Sequence, residues 1–179
     1  ITEYYIEHFI NDLFSPFKEY NEEILSWKSD LMILLAKKKK LLHLCMPWII
    51  GYFSRSKSST IDLNRYKLES FLMTEDDSEI NQMISNSIFD DNCYIREHMA
   101  DIIGEKRISG AKQNLLKQLH IEKNYFTMAS IIEALGKIGD SDCLKIILEW
   151  VKENDRKIIS EHQYFILKHI FKAIVLLDN

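Results

Sequence analysis

Two stretches of this chain can be laid over each other at a fixed offset, and that self-similarity limits the fold more than any other feature of the sequence. YIREHMADIIG, residues 94–104, sits above FTMASIIEALG, residues 126–136, 32 positions later. An aromatic residue opens each, apolar residues recur at helical spacing, and a glycine closes each. A short break and a second amphipathic run follow both: GAKQNLLKQL at 110–119 and SDCLKIILEWV at 141–151. Each unit is therefore expected to be a pair of helices. A third copy opens at YFILKHIFKAI, 164–174, with Phe165, Ala173 and Ile174 standing 39 residues after Phe126, Ala134 and Leu135. The seven additional residues fall in the charged stretch KENDRK and read as a loop insertion. Backward by the same period, LNRYKLESFLM (63–73) and SEINQMISNSIF (78–89) form a degenerate earlier copy. One such unit cannot bury its apolar stripe alone, whereas stacked neighbours share one continuous core.

Composition agrees. With 5 Gly and 2 Pro in 179 residues, the chain lacks the turn residues of an all-β fold and the glycine-rich loops that cradle phosphates. At 46% hydrophobic and 28% charged it can build a core. Local signals mark the helix ends. In KIGDSDCL, Gly139 is expected at positive φ to end one helix, and Asp140 or Ser141 to accept from the first amides of the next. In FDDNCYIRE, Asp90, Asp91 and Asn92 do the same between units. TEDDSE, residues 74–79, lacks the alternating ligands and central glycine of a calcium loop and reads as a cap and first turn.

The stretches DDNCYIREHMADIIGEKRIS and NYFTMASIIEALGKIGDSDCLKIILEWV resemble HEAT repeats, in particular the short kind of phycobilisome-lyase-like and other bacterial HEAT proteins. Those carry an apolar-Arg pair early in the first helix, an Ala-x-x-Leu-Gly ending and Gly-Asp before the second helix. Ile95-Arg96, Ala100 to Gly104, Ala134 to Gly136 and Gly139-Asp140 match. Met128 replaces the arginine in the next copy, and Val175 replaces the closing glycine in the last. The resemblance covers roughly 61–179 and implies an all-α fold, an α-α superhelix of HEAT-like helix pairs at about 61–90, 91–121, 122–155 and, in part, 160–179. It implies structural roles for Arg96, Gly104, Gly136 and Asp140, with Arg96 bonding helix-end carbonyls or an acid such as Asp101 or Asp140. A fold of this kind hosts many functions.

Residues 1–60 read as an N-terminal helical cap. Tyr5, Ile6, Phe9, Ile10, Leu13 and Phe14 mark one helical face, and Ser15-Pro16 ends that helix and starts another. A long amphipathic run passes through Phe17, Tyr20, Ile24, Trp27, Leu31 and Leu34. A third run carries Leu41, Leu44, Trp48 and Ile49, with Pro47 kinking it or opening a new helix. SRSKSST, 54–60, is the expected linker. The chain begins without Met, as a processed or excised piece would. No basic n-region with a cleavage site opens it, and its longest apolar-rich stretch, 41–53, is too short to span a bilayer. A cytoplasmic chain that contacts no membrane is expected.

The charge is uneven. Acidic segments flank residues 37–67, which hold eight basic residues against Asp62. Lys37, Lys38, Lys39, Lys40, Arg55, Lys57, Arg65 and Lys67, interleaved with Trp48, Tyr52, Phe53 and Tyr66, are the candidate anion or nucleic-acid site. The opposing reading is a solvated face neutralised by its acidic neighbours, with four consecutive lysines spread around a helix. Cys45, Cys93 and Cys143 have no metal-ligand spacing and suggest core positions in a reducing compartment. The Glu-His pairs at His8, His98 and His162 lack convergent ligands, so no metal and no cofactor are expected. No nucleophile stands beside a base, which argues against an enzyme. Trp150 is expected in the core. Lys112, Gln113, Lys117, Asp142, Lys145, Glu149 and Lys152 are expected to point outward from the second helices and form an inner surface of mixed charge. That surface suits another protein's helix or loop, so the leading expectation is a non-enzymatic protein-interaction module or scaffold. The alternatives are a nucleic-acid-binding HEAT-like protein, as in DNA glycosylases of HEAT-like fold, and, further off, an accessory or lyase-type enzyme.

Overall fold

The computed structural model describes His8 and residues 22–54, 62–160 and 164–177. The fold is all-α, with no strand among the described residues. The chain divides into two compact units, residues 1–75 and 76–179. The expected helix of residues 1–14 apart from His8, the Ser15-Pro16 stop, Phe17, Tyr20 and the linker residues 55–60 lie outside the described residues.

In the first unit, α1 (Glu22–Ala36) packs against α2 (Leu42–Gly51) and α3 (Leu63–Thr74). Single 3-10 turns at Lys39–Leu41 and Tyr52–Ser54 flank α2. Met32, Leu42, Met46, Ile49, Phe53, Leu68 and Leu72 form its core. The buried face of α1 is not the stripe the sequence favours. Ile24, Trp27 and Leu34 are exposed, while Leu25, Lys28, Ser29, Met32 and Ala36 are buried. The helix is apolar on both sides, so periodicity leaves its orientation open. The buried Ser29 is self-sufficient, its hydroxyl donating to the Leu25 carbonyl at 2.8 Å. Pro47 neither opens a helix nor ends one. It sits inside α2 on the exposed side, where water can reach the His43 carbonyl its ring leaves without an amide partner. The four lysines do not wrap a helix, because α1 ends at Ala36 and Lys37–Lys38 form the turn that follows. The segment 63–73, grouped with the repeats on its sequence, lies in the first unit as α3. Lys67 joins it to α1 by reaching Asp30 at 2.8 Å and Ser26 at 3.0 Å.

The second unit holds the repeat. Its helices are α4 (Ser78–Asn86), α5 (Cys93–Lys106), α6 (Lys112–Ile121), α7 (Tyr125–Ile138), α8 (Ser141–Ser160) and α9 (Tyr164–Leu177). Four of them, α4, α5, α7 and α8, begin where a side chain takes free amides, whereas α6 follows the 3-10 turn Ser109–Ala111 without a side-chain cap. Asp77 accepts from Glu79 N, Asn92 from Tyr94 N, Asn124 from Phe126 N and Thr127 N, and Asp140 from Asp142 N and Cys143 N. The first helices α5, α7 and α9 lie side by side, with α7 in the middle. The second helices pack beside them, α4 on α5, α6 on α7, and α8 on α7 and α9. Met99, Ile102, Ile103, Leu115, Ile131, Ile132, Leu135, Ile147 and Ile166 are buried between the two rows.

Glycine sets the spacing of the first row. A methyl group added at Gly104 would lie 2.9 Å from Ala134 Cα, and one at Gly136 would lie 2.6 Å from Ala173 Cα. Both glycines close their repeats in the sequence alignment, and both are the points of closest approach to the next first helix.

Two expectations about helix ends need correction. Gly139 has φ −82 and ψ −171, an extended conformation open to any residue. Its requirement is steric, since a Cβ there would collide with the Leu135 carbonyl and with Cys143. The left-handed residue is instead Arg107, at φ 54, which ends α5 with Arg107 N bonding Gly104 O and Ile108 N bonding Ile103 O. Nor is KENDRK a loop. The helix α8 runs through it to Ser160. The stretch contains no Gly or Pro, and an insertion of seven residues is about two helical turns, which returns the buried face to register.

Candidate functional site

The predicted docking residues lie on the outward sides of α6 and α8. In α6 the inward positions are Ala111, Leu115, Leu116, Gln118 and Leu119, and this leaves Gln113 and Lys117 exposed one turn apart. In α8, burial of Cys143, Ile147 and Trp150 leaves Lys145, Glu149 and Lys152 exposed along one stripe. Asp142 is exposed and pairs with Lys145 at 3.3 Å. Lys112 differs from the rest. Its ammonium donates to Asp140 Oδ2 at 2.7 Å, so the residue that caps α8 also holds the start of α6. That bond raises the Lys112 pKa and lowers that of Asp140. The surface is of mixed sign, and six of its seven expected residues, all but Lys112, are in solvent.

A two-point ion pair lies elsewhere, at the junction between repeats. Arg96 in the first turn of α5 donates from Nε and Nη2 to the two oxygens of Glu122, both at 2.7 Å, and from Nη1 to the carbonyls of Asp90 and Asp91 at 2.8 and 3.0 Å. These carbonyls lie in the link between the 3-10 turn Ser87–Phe89 and α5, where helix-end carbonyls were expected. The acid is Glu122, rather than Asp101 or Asp140. Glu122 Oε1 also accepts from Lys123 N and Asn124 N, and Oε2 accepts from Gln118. Burial works to neutralise this carboxyl, but the bonds from Arg96, Asn124 N, Gln118 and Lys123 N overcome it and hold its pKa at about 2. The sequence contained a signal for Glu122. It stands 32 residues after Asp90, and each acid accepts the amide of the capping asparagine two residues on, Asn92 at 2.8 Å and Asn124 at 2.9 Å.

A second polar cluster crosses the first row where no motif pointed. Glu133 of α7 accepts from His169 at 2.7 Å and from Lys172 at 3.3 Å, both on α9, and pairs with Lys137 at 3.1 Å. Lys137 then reaches Glu105 of α5 at 2.6 Å. Burial opposes the Glu133 charge, and the bonds from Lys137 and His169 hold its pKa at about 2. Phe126 and Phe165 stack across the same pair of helices, with ring centroids 4.9 Å apart.

The basic block is partly neutralised within its own unit. Lys37 pairs with Glu75 at 3.7 Å, Lys67 with Asp30, and Arg65 approaches Asp62 at 4.0 Å. Lys38 and Lys39 are exposed. Arg55, Lys57 and the side chain of Lys40 lie outside the described residues. Cys45 and Cys143 are buried, and burial pushes the Cys45 thiol up to about 11 and raises that of Cys143. Cys93 is half-buried and His98 buried, and His162 lies outside the described residues. Trp150 is in the core. Among the described residues there is no group of three or more His, Cys, Asp or Glu that could hold a metal ion, and no helix long and apolar enough to cross a membrane. No family model, curated protein or solved structure matches the chain.

Proposed function

We propose that this chain is a non-enzymatic, cytoplasmic protein-binding module that takes a helix or loop of its partner against the outward residues of α6 and α8. The observation that carries the reading is the exposure of Gln113, Lys117, Lys145, Glu149 and Lys152, while the strongest polar groups of the unit spend their bonds inside it. A surface of alternating sign complements a protein segment, whereas a polyanion calls for a single-sign field. The pairing of Lys37 and Lys67 with acids of their own unit supports the same choice. The HEAT-like pattern agrees with it, because stacked helix pairs offer extended binding surfaces.

The test is a pull-down with the tagged full chain from lysate of its source, with and without nuclease, beside a variant carrying Lys117→Glu, Lys145→Glu and Lys152→Glu. The expected result is one stoichiometric protein that survives nuclease and is lost from the variant. Nucleic acid on the bait, released by salt or by Lys38→Glu with Lys39→Glu, overturns the reading, as does a partner indifferent to the triple reversal.

A further inference from the structure

We infer that the outer face of α9 is a second docking surface, shaped for an amphipathic helix of another protein whose apolar stripe is flanked by acids. The register of the repeat identifies the face. Residues 39 positions apart are equivalent in α7 and α9, so Ala129, Ile132, Glu133 and Gly136 correspond to Lys168, Phe171, Lys172 and Val175. On α7 these positions receive α9: Gly136 meets Ala173, Glu133 bonds His169 and Lys172, and Ile132 is fully buried. On α5 the equivalent Gly104 receives α7. The surface that takes up the next helix at two successive junctions is thus presented a third time on α9, where Phe171 is 64% and Val175 63% exposed, with Leu176 and Lys168 exposed beside them. It continues an interface the unit already uses twice.

Two features select the occupant. Val175 stands where the two glycines let a neighbouring backbone approach, and its branched side chain forbids that approach. The received helix therefore stands farther out than the unit's own first helices do, at ordinary helix-helix spacing. It is not another copy of the first helix in the same register. The second feature is charge. The sequence of α9, YFILKHIFKAIVLL, contains Lys168, His169 and Lys172 and no acid. Lys168 is exposed at the edge of the Phe171–Val175 stripe, and Lys172, one turn on, reaches Glu133 at 3.3 Å on one side while its side chain stays 47% exposed on the other, so a complementary helix places acids at the same spacing. A second copy packed α9 on α9 would offer these lysines no acid, since α9 carries none.

The experiment uses a displayed library of helical peptides with a fixed leucine and alanine stripe and randomised flanks, selected against the full chain. The selected peptides are expected to carry Glu or Asp at i and i+4 on one flank. Their affinity should fall at least tenfold for Phe171→Ser and for Lys168→Glu, both at exposed positions, with helical circular dichroism unchanged. Lys168→Glu should in turn prefer peptides with lysine at those flank positions. Peptides without acid enrichment, or indifferent to Phe171→Ser, overturn the proposal. A glycine-striped set assigns the face to a further first helix, and a sedimenting dimer abolished by Phe171→Ser assigns it to a second copy; either result overturns it as well.

Discussion

The junction of α5 with α7 and that of α7 with α9 share one steric seat and differ in almost everything polar. At both, a glycine lies against an alanine backbone of the next first helix, Gly104 on Ala134 and Gly136 on Ala173. The first junction is then tied at the start of its helices by the buried fork of Arg96 on Glu122. The second has Met128 at the arginine's position, buried without a polar partner to satisfy, and is tied by Glu133 to His169 and Lys172. The helices also end differently, α5 through left-handed Arg107 and α7 through extended Gly139. The comparison separates what the stack requires from what it tolerates. Backbone spacing is common to both junctions, whereas the polar tie can change its residues and its position because each tie is satisfied locally.

The largest effect is expected from making the first junction like the second. Arg96→Met leaves the Glu122 carboxylate buried without its cation and should cost about 3–5 kcal/mol, read as a lower denaturation midpoint. Arg96→Lys should restore little, since one ammonium cannot reproduce the two-point fork and the two carbonyl bonds.

Acid should weaken both junctions in one window. Glu122 and Glu133 both have folded pKa values of about 2 against an ordinary 4.5. A depressed carboxylate contributes stability that is fully present above pH 4.5 and is lost as the pH falls toward 2. Each acid corresponds to about 3 kcal/mol at most. Unfolding midpoints measured across that window should fall steadily, and Arg96→Met should remove the Glu122 share of the slope. A flat profile would contradict the assignment.

Glu133→Gln keeps the shape of the second tie and removes its charge. Because Lys172 and His169 are partly in solvent, the cost should be near 1–2 kcal/mol, well below that of Arg96→Met. A loss equal to that of Arg96→Met would erase the distinction between a buried fork and a half-exposed cluster. The smallest change has the opposite sign. Arg107→Gly relieves a left-handed residue at a helix end and should stabilise by about 0.5–1 kcal/mol in thermal unfolding.

Much of the second unit was legible because a repeat supplies its own internal control. The periodicity located the helices α5 to α9, and the aligned glycines marked the closest approaches. What failed has physical causes. The face of α1 was ambiguous because Ile24, Trp27 and Leu34 form as good a stripe as Leu25, Met32 and Ala36, and a serine that bonds its own helix can be buried. KENDRK looked like a loop by charge alone, although nothing in it breaks a helix. Glu122 escaped because it stands 26 residues from Arg96 with nothing in its local sequence to mark the pairing, and only its 32-residue offset from Asp90 pointed to it. The Glu133 cluster joins residues 36 and 39 apart, distances at which a sequence shows no pairing until the helices are stacked. Of the candidate docking residues, exposure was predictable from helical spacing, but the pinning of Lys112 by Asp140 was not.

Two glycines set the spacing of the first helices, and single alanine substitutions test this by sign. Inside a helix, Gly→Ala ordinarily stabilises by about 0.5–1 kcal/mol, and Gly51, in α2 with open space around it, should behave that way. Thermal unfolding should show Gly104→Ala and Gly136→Ala both destabilised, Gly136→Ala the more so because its methyl faces the closer backbone. If both instead raise the midpoint as Gly51→Ala does, the first helices are not seated by their glycines.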